Sequence, residues 1–268
     1  ASAIGAINAV VRKNGKLYGY NTDYFGFEYM LDSANINVSG KKALLIGNGG
    51  AAATVKAVLA DKKIEKIVTV DSKTNTPELL SLHKDTNIII NASPVGMYPH
   101  NQTSAIDLSL FPSCEAVLDI VYNPLITELM LQAEKRGICA VSGISMLVAQ
   151  AVRGFEIFTG EKCESGIIEK IIDRILRDTQ NIILIGMPSC GKSTVGRLLH
   201  IDGYEFIDTD AEIEKRCGCS ISELIKTKGE TYFRDMETAV IPEGVTAHIT
   251  LPGGLTETVG AGNYVFVD

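Results

Sequence analysis

The octapeptide Gly186-Met187-Pro188-Ser189-Cys190-Gly191-Lys192-Ser193 follows an apolar run, Asn181 to Ile185, and precedes a helix-like segment, Thr194 to Leu199. Strand, glycine-rich turn and helix in that order leave few folds open, because so tight a turn aims successive backbone N–H groups at one point as it feeds the helix. The pattern G-x-x-x-x-G-K-[ST] in this setting predicts a cradle for nucleotide phosphates. Gly186, Ser189, Gly191, Lys192, Ser193 and Thr194 are the candidate contacts, with the Ser193 hydroxyl a candidate ligand of Mg²⁺, so a nucleoside triphosphate with Mg²⁺ is the expected ligand. The motif opens near residue 181 of 268, which leaves room for a separate domain ahead of it.

That earlier stretch alternates short aliphatic runs with helical segments. Ile7 to Val11 and Leu17 to Tyr20 flank Asn14-Gly15 and predict a hairpin with a tight turn, followed by a helix from Thr22 to Leu31. Aliphatic runs at 42–46, 67–70, 88–90, 117–121 and 138–141 then alternate with helical or turn-rich pieces, Leu125 to Arg136 being the clearest helix. Short buried-type strands separated by helices predict a parallel, doubly wound α/β sheet. Helices over 145–158 and about 165–177 close the half; the second carries apolar residues at 167, 168, 171, 172, 175 and 176, one stripe of a helix. The expected boundary lies at Asp178-Thr179-Gln180, giving domains 1–178 and 179–268.

The run at 42–46 leads into Gly47-Asn48-Gly49-Gly50-Ala51-Ala52, a match to G-x-G-x-x-G/A with strand before and helix after. Asp71, 24 positions beyond Gly47 at the end of the next apolar run, is placed to meet the adenosine ribose hydroxyls. These residues predict a Rossmann-type dinucleotide site: Asp71 favours NAD, while Ser72 and Lys73 beside it leave NADP open.

Composition narrows the partners. With 46% hydrophobic and 21% charged residues the chain is globular, and no apolar run is long enough to span a bilayer, so a cytoplasmic protein without membrane contact is expected. A formal charge of −7 with no basic block argues against nucleic-acid binding. The six cysteines lack scaffold spacing and are expected as thiols; Cys217-Gly218-Cys219 has no complementary pair that would complete a metal site.

Six ordered motifs over residues 1 to about 160 resemble shikimate dehydrogenase: Ile4-Gly5-Ala6-Ile7-Asn8, Asn21-Thr22-Asp23, Gly47 to Ala51, Asn91 to Met97, Asp119 to Pro124 and Gly143 to Gln150. The resemblance implies that Asn8, Asp23 and Gln150 bind the hydroxyls of shikimate, that Asp23 is catalytic, and that Gly96, Met97, Gly143 and Met146 line the nicotinamide. Residues 181–268 resemble shikimate kinase through the glycine-rich loop, Asp208-Thr209-Asp210, Gly229-Glu230-Thr231-Tyr232-Phe233-Arg234-Asp235-Met236-Glu237 and Pro252-Gly253-Gly254. By that likeness Asp208 serves Mg²⁺, while Asp210, Arg234, Gly253 and Gly254 hold substrate, with Lys192, Asp210 and Arg234 taking part in phosphoryl transfer. Outside that context Arg234 and Glu237 would read as an i, i+3 surface ion pair.

Together the two likenesses imply a bifunctional enzyme of aromatic amino acid biosynthesis, a Rossmann-type domain followed by part of a P-loop, nucleoside-monophosphate-kinase-like α/β domain. One half would reduce 3-dehydroshikimate with NADP or NAD and the other would phosphorylate shikimate from ATP. Compared with the families' patterns, the chain starts after a Ser-x-Ser clamp and a catalytic Lys that partners Asp23, and stops before an Arg-bearing lid. The expectation is therefore a fragment with reduced or no turnover. The competing expectations are a non-catalytic nucleotide-binding protein, or a quinate/shikimate dehydrogenase joined to another small-molecule kinase. Oligomeric state is left open.

Overall fold

A computed structural model of the chain describes residues 4–179, 191–201, 208–233, 236, 247–250 and 256–259. The chain divides into two compact units, Ala1–Thr179 and Gln180–Asp268.

The first unit opens with the hairpin β1 (Ala9–Lys13) and β2 (Lys16–Tyr20), its turn made by Asn14 and Gly15 at φ of 50° and 76°. Both angles are positive, as a two-residue turn between twisted strands requires. Helix α1 (Thr22–Ser33) follows, capped by the Asn21 side chain, which accepts from the Tyr24 N–H at 3.0 Å. Then come β3 (Lys42–Ile46), α2 (Gly50–Asp61), β4 (Lys66–Val70), α3 (Pro77–Ser81), β5 (Ile88–Asn91), β6 (Ala116–Asp119), α4 (Glu128–Lys135), β7 (Cys139–Ser142), α5 (Ile144–Thr159) and α6 (Ile167–Thr179). Helix α4 starts three residues later than its apolar pattern suggests, because Thr127 serves as its N-cap and accepts from the Met130 N–H at 3.4 Å. Helix α6 ends at Thr179.

Strands β3 to β7 form one sheet in the order β4-β3-β5-β6-β7, every pairing parallel. Alternate residues feed opposite faces: Ala43, Leu45, Ile88, Ile90 and Leu118 pack with α1, α2 and Met146, while Leu44, Ile46, Ile89 and Val117 pack with Leu80, Phe111 and Leu129. Leu44, Leu45, Ile89 and Leu118 are fully sealed. Each such side chain contributes about 1.5–3 kcal/mol of transfer free energy. The chain leaves β3 toward β4 on one side and returns to β5 on the other, so a crevice opens at the carboxyl ends of β3 and β5.

In the second unit α7 (Lys192–Ile201) begins just after Gly191, whose φ is +94° and whose carbonyl accepts from the Thr194 and Val195 N–H groups. Helices α8 (Thr209–Cys217) and α9 (Ile221–Lys228) bury Ile213 and Leu224 with Phe233. Strands β8 (Ala247–Thr250) and β9 (Thr256–Val259) pair antiparallel. No helix among the described residues is long and apolar enough to cross a membrane.

Candidate active site

Gly47 ends β3 with φ +107°, and a Cβ there would lie 2.6 Å from the Ala92 carbonyl oxygen, so only glycine lets the chain turn against the end of β5. Beyond it Gly49 is the N-cap of α2 without any side-chain cap, and Cβ atoms at Gly49 and Gly50 would meet nothing within 4 Å. The helix end therefore presents its backbone N–H groups to open space, with the positive end of its dipole behind them. Asn48 is held by the Lys56 ammonium at 3.4 Å, and Ala51 lies in the first turn of α2.

Asp71 stands at the end of β4, beside the same crevice. Its Oδ1 accepts from the N–H groups of Lys73 (2.9 Å) and Thr74 (3.1 Å) and from the Thr74 hydroxyl (3.0 Å). The Lys73 N–H, then the Thr74 groups, hold the carboxyl below the usual range. Asp71 is thus a loop organiser, and Ser72 and Lys73 are left exposed on the loop it shapes. At the ends of β5 and β7 sit Gly96 (φ +89°), the exposed Met97, Gly143 and the buried Met146. The Ser142 hydroxyl is buried there with no hydrogen-bond partner among the described residues.

A cavity of about 280 Å³ lies between the hairpin's start and α5, lined by Asn8, Thr22, Gln150, Phe155 and Phe158 among others. Asn8 donates to Asp23 Oδ1 and to the Thr22 hydroxyl, both at 3.0 Å, while its own oxygen accepts the Thr22 N–H at 2.8 Å. Three bonds from one amide tie the segment before β1 to the first turn of α1. Burial pushes the Asp23 carboxyl up, and the Asn8 bond opposes that rise without cancelling it. Asn8 and Gln150 therefore face one cavity, with Asp23 bonded to its Asn8 wall. The aromatic part of that wall, Phe155 and Phe158, lies late in α5, where no sequence motif marks either residue.

In the second unit Asp208 caps α8, its Oδ1 accepting from the Ala211 N–H at 3.3 Å, with Asp210 exposed in the first turn. Ser193 and Thr194 occupy the first turn of α7. Gly186, Ser189, Arg234, Gly253 and Gly254 lie outside the described residues, as does the side chain of Lys192. No cluster of three or more His, Cys, Asp or Glu suited to a metal ion occurs among the described residues, and Cys217 and Cys219 are free thiols.

The shikimate dehydrogenase (NADP(+)) of Clostridium perfringens strain SM101 is 37% identical over an alignment of 191 positions that covers 65% of this chain and 70% of that protein. The chain belongs to the shikimate dehydrogenase family. Among solved structures, a chorismate mutase/shikimate 5-dehydrogenase fusion protein from Clostridium acetobutylicum superposes with TM-score 0.61 at 30% identity, over 66% of this chain and 69% of that one. The shikimate 5-dehydrogenase of Thermus thermophilus, in complex with NADP(H) and shikimate, gives TM-score 0.56 at 29% identity, over 65% and 69%. Residues 143–172 match the family model of the shikimate 5'-dehydrogenase C-terminal domain, and residues 188–263 that of shikimate kinase. This shikimate dehydrogenase family member thus carries a second segment similar to another family. Its Rossmann-like α/β fold is the one expected from the sequence.

Proposed function

We propose that the first unit holds the NADP and shikimate sites of an enzyme that interconverts 3-dehydroshikimate and shikimate, and that the segment matched to shikimate kinase serves transfer of phosphate from ATP to the shikimate so formed. The observation carrying the dehydrogenase assignment is the hydrogen bond from Asn8 to Asp23 beside a cavity that Asn8 shares with Gln150. A dinucleotide fits the neighbouring crevice: uncapped N–H groups at Gly49 and Gly50 suit its pyrophosphate. Lys73 supplies a cation next to the loop that Asp71 folds, which favours a 2′-phosphate over a bare ribose.

Bound there, NADP supplies or accepts the hydride. Everything else falls to side chains. Asn8, both of its N–H groups engaged by Asp23 and Thr22, offers the remaining lone pair of its oxygen to a ring hydroxyl and holds the Asp23 carboxyl in place. Asp23, its carboxyl raised by burial, accepts a hydroxyl proton when ionised and stays within reach of protonation as that proton moves. Gln150 adds an amide from α5, and Phe155 and Phe158 keep the cavity wall apolar. Calorimetry on the purified chain tests this: NADP⁺ should bind more tightly than NAD⁺, and shikimate binding should fall at least tenfold in Asp23→Asn or Gln150→Ala. A chain that binds nucleotide yet ignores shikimate would be a nucleotide sensor instead. Quinate bound in preference to shikimate would move the assignment to the related acid.

For the second segment, support comes from the family match over residues 188–263 and from a helix beginning immediately after Gly191. Ser193 and Asp208 would serve Mg²⁺, Lys192 the transferring phosphate, and Asp210 with Arg234, Gly253 and Gly254 the acceptor. Lys192→Met should abolish ATP–Mg²⁺ binding by calorimetry while NADP⁺ affinity stays the same.

A further inference from the structure

The carboxyl ends of β5 and β6 hold a buried polar knot that the chemistry above does not use. Asn91 and Asp119 are register partners on adjacent parallel strands, 1% and 0% exposed. The Asn91 amide donates to Asp119 Oδ1 at 2.9 Å and to the Val95 carbonyl at 3.0 Å. Its oxygen accepts from the Ser93 N–H at 3.1 Å and the Ser93 hydroxyl at 2.6 Å. Asp119 Oδ1 also takes the Val121 N–H at 3.1 Å, and Oδ2 takes the Thr127 hydroxyl at 2.6 Å.

This knot reaches every loop at the nicotinamide end. Asn91 closes the turn that leads to Gly96, where a Cβ would already touch Thr127 Cβ at 3.5 Å. The Val121 carbonyl accepts the Gly143 N–H at 3.2 Å, so the start of α5 joins as well. Gly47 leans on Ala92 and Ser93 from the other side. A buried carboxylate is a poor choice for stability alone, since an apolar pair would fill the space without the cost of removing a charge from water. What it provides is an acceptor for three donors that ties the end of β5 to both ends of the loop 119–127.

We propose that Asp119 is a positioning residue for the nicotinamide half of the cofactor, fixing the loops 91–97 and 119–127 at the spacing that half requires. This rests on the dinucleotide assignment above. The test compares NADP⁺ with 2′,5′-ADP, which carries only the adenosine end, in calorimetric titrations of the unaltered chain, Thr127→Val and Thr127→Ser. Thr127→Val keeps the shape and removes the hydroxyl that Oδ2 accepts, together with the longer cap bond from Met130, a loss that would weaken both ligands alike. The expected result is about a tenfold loss of NADP⁺ affinity, unchanged 2′,5′-ADP affinity, and recovery in Thr127→Ser. Amide hydrogen exchange at 93–97 and 119–123 should rise in Thr127→Val without ligand. Equal losses for both ligands, or no loss for either, would overturn the proposal. Should Thr127→Val fail to fold, Asp119→Asn, equal in volume but bearing an NH₂ among donors, is read by the same pair of titrations. An unaltered chain that binds neither ligand refutes the dinucleotide assignment and this inference with it; undiminished NADP⁺ affinity in the variants refutes this inference alone.

Discussion

Gly143 occupies an ordinary helical conformation, φ −64° and ψ −6°, that alanine adopts freely. Gly143→Ala therefore isolates a steric effect. Its new Cβ would stand 2.1 Å from the Ile120 oxygen, 2.4 Å from that carbonyl carbon and 2.9 Å from the Ile120 Cα. All three atoms are backbone, so no side chain can rotate away, and the ends of β6 and β7 must part by about 1 Å to restore ordinary contact. Overpacking of this kind costs about 1–3 kcal/mol, and stretching the Gly143 N–H bond to Val121 adds about 1 kcal/mol. Against a total stability of about 5–15 kcal/mol, a net loss near 3 kcal/mol is large. Hydrogen exchange of the Leu118 and Val141 strand amides reports the first unit without interference from the second. Their exchange in the regime set by global opening should accelerate about a hundredfold. Gly49→Ala, whose Cβ meets nothing, is the control and should leave those rates unchanged. Acceleration below about threefold in Gly143→Ala would show that the contact yields, and the account of a rigid carboxyl edge would fail.

The same Gly49→Ala should weaken NADP⁺ about tenfold in calorimetry, because its methyl occupies the approach to the uncapped α2 N-terminus. Asp23 titrates above the ordinary carboxyl range, so shikimate affinity should begin to fall on acidification at a higher pH than a free aspartate would dictate. Asn8→Leu removes the Asn8 bond that opposes the rise and should move the Asp23 carboxyl higher still, as followed by NMR titration of that carboxyl without shikimate. Asp119, pushed by burial to about 6 in the fold, lies above its unfolded value of roughly 3.9. A raised carboxyl adds stability that is present below the unfolded value and lost as pH rises through 6, about 2–3 kcal/mol in all. Thermal melts from pH 4 to 7 should therefore show Asp119→Asn gaining on the unaltered chain toward neutral pH; parallel curves would contradict the burial argument.

Much of the frame is written locally. The aliphatic runs at 42–46 and 88–90 admit little but buried parallel strands, and Asn14-Gly15 dictates its turn. The glycine pattern at 47–50 likewise announces a helix N-terminus left bare. Boundaries were less legible where a side chain decides them: Thr127 halts α4 at Glu128 by capping it, although Leu125 continues the apolar pattern. Least visible was the Asn91–Asp119–Thr127 knot. Its members lie 28 and 8 residues apart and meet only through parallel register, which no local periodicity encodes. A hint existed in the two polar residues that end otherwise aliphatic strands. Asp71 shows the reverse case, a residue singled out by position whose Oδ1 is already engaged by its own loop.

The close seating of Gly47 against Ala92, and of Gly143 against Ile120, makes mutational tolerance around this crevice directional. Changes that point inward press backbone on backbone at the ends of β5 and β6. Changes at Ser72 or Lys73 fall on an exposed loop and press on no strand end. On the proposed dinucleotide assignment, selection can therefore retune which nucleotide is preferred through a few exposed positions, while the glycines packed against neighbouring strand ends tolerate little change.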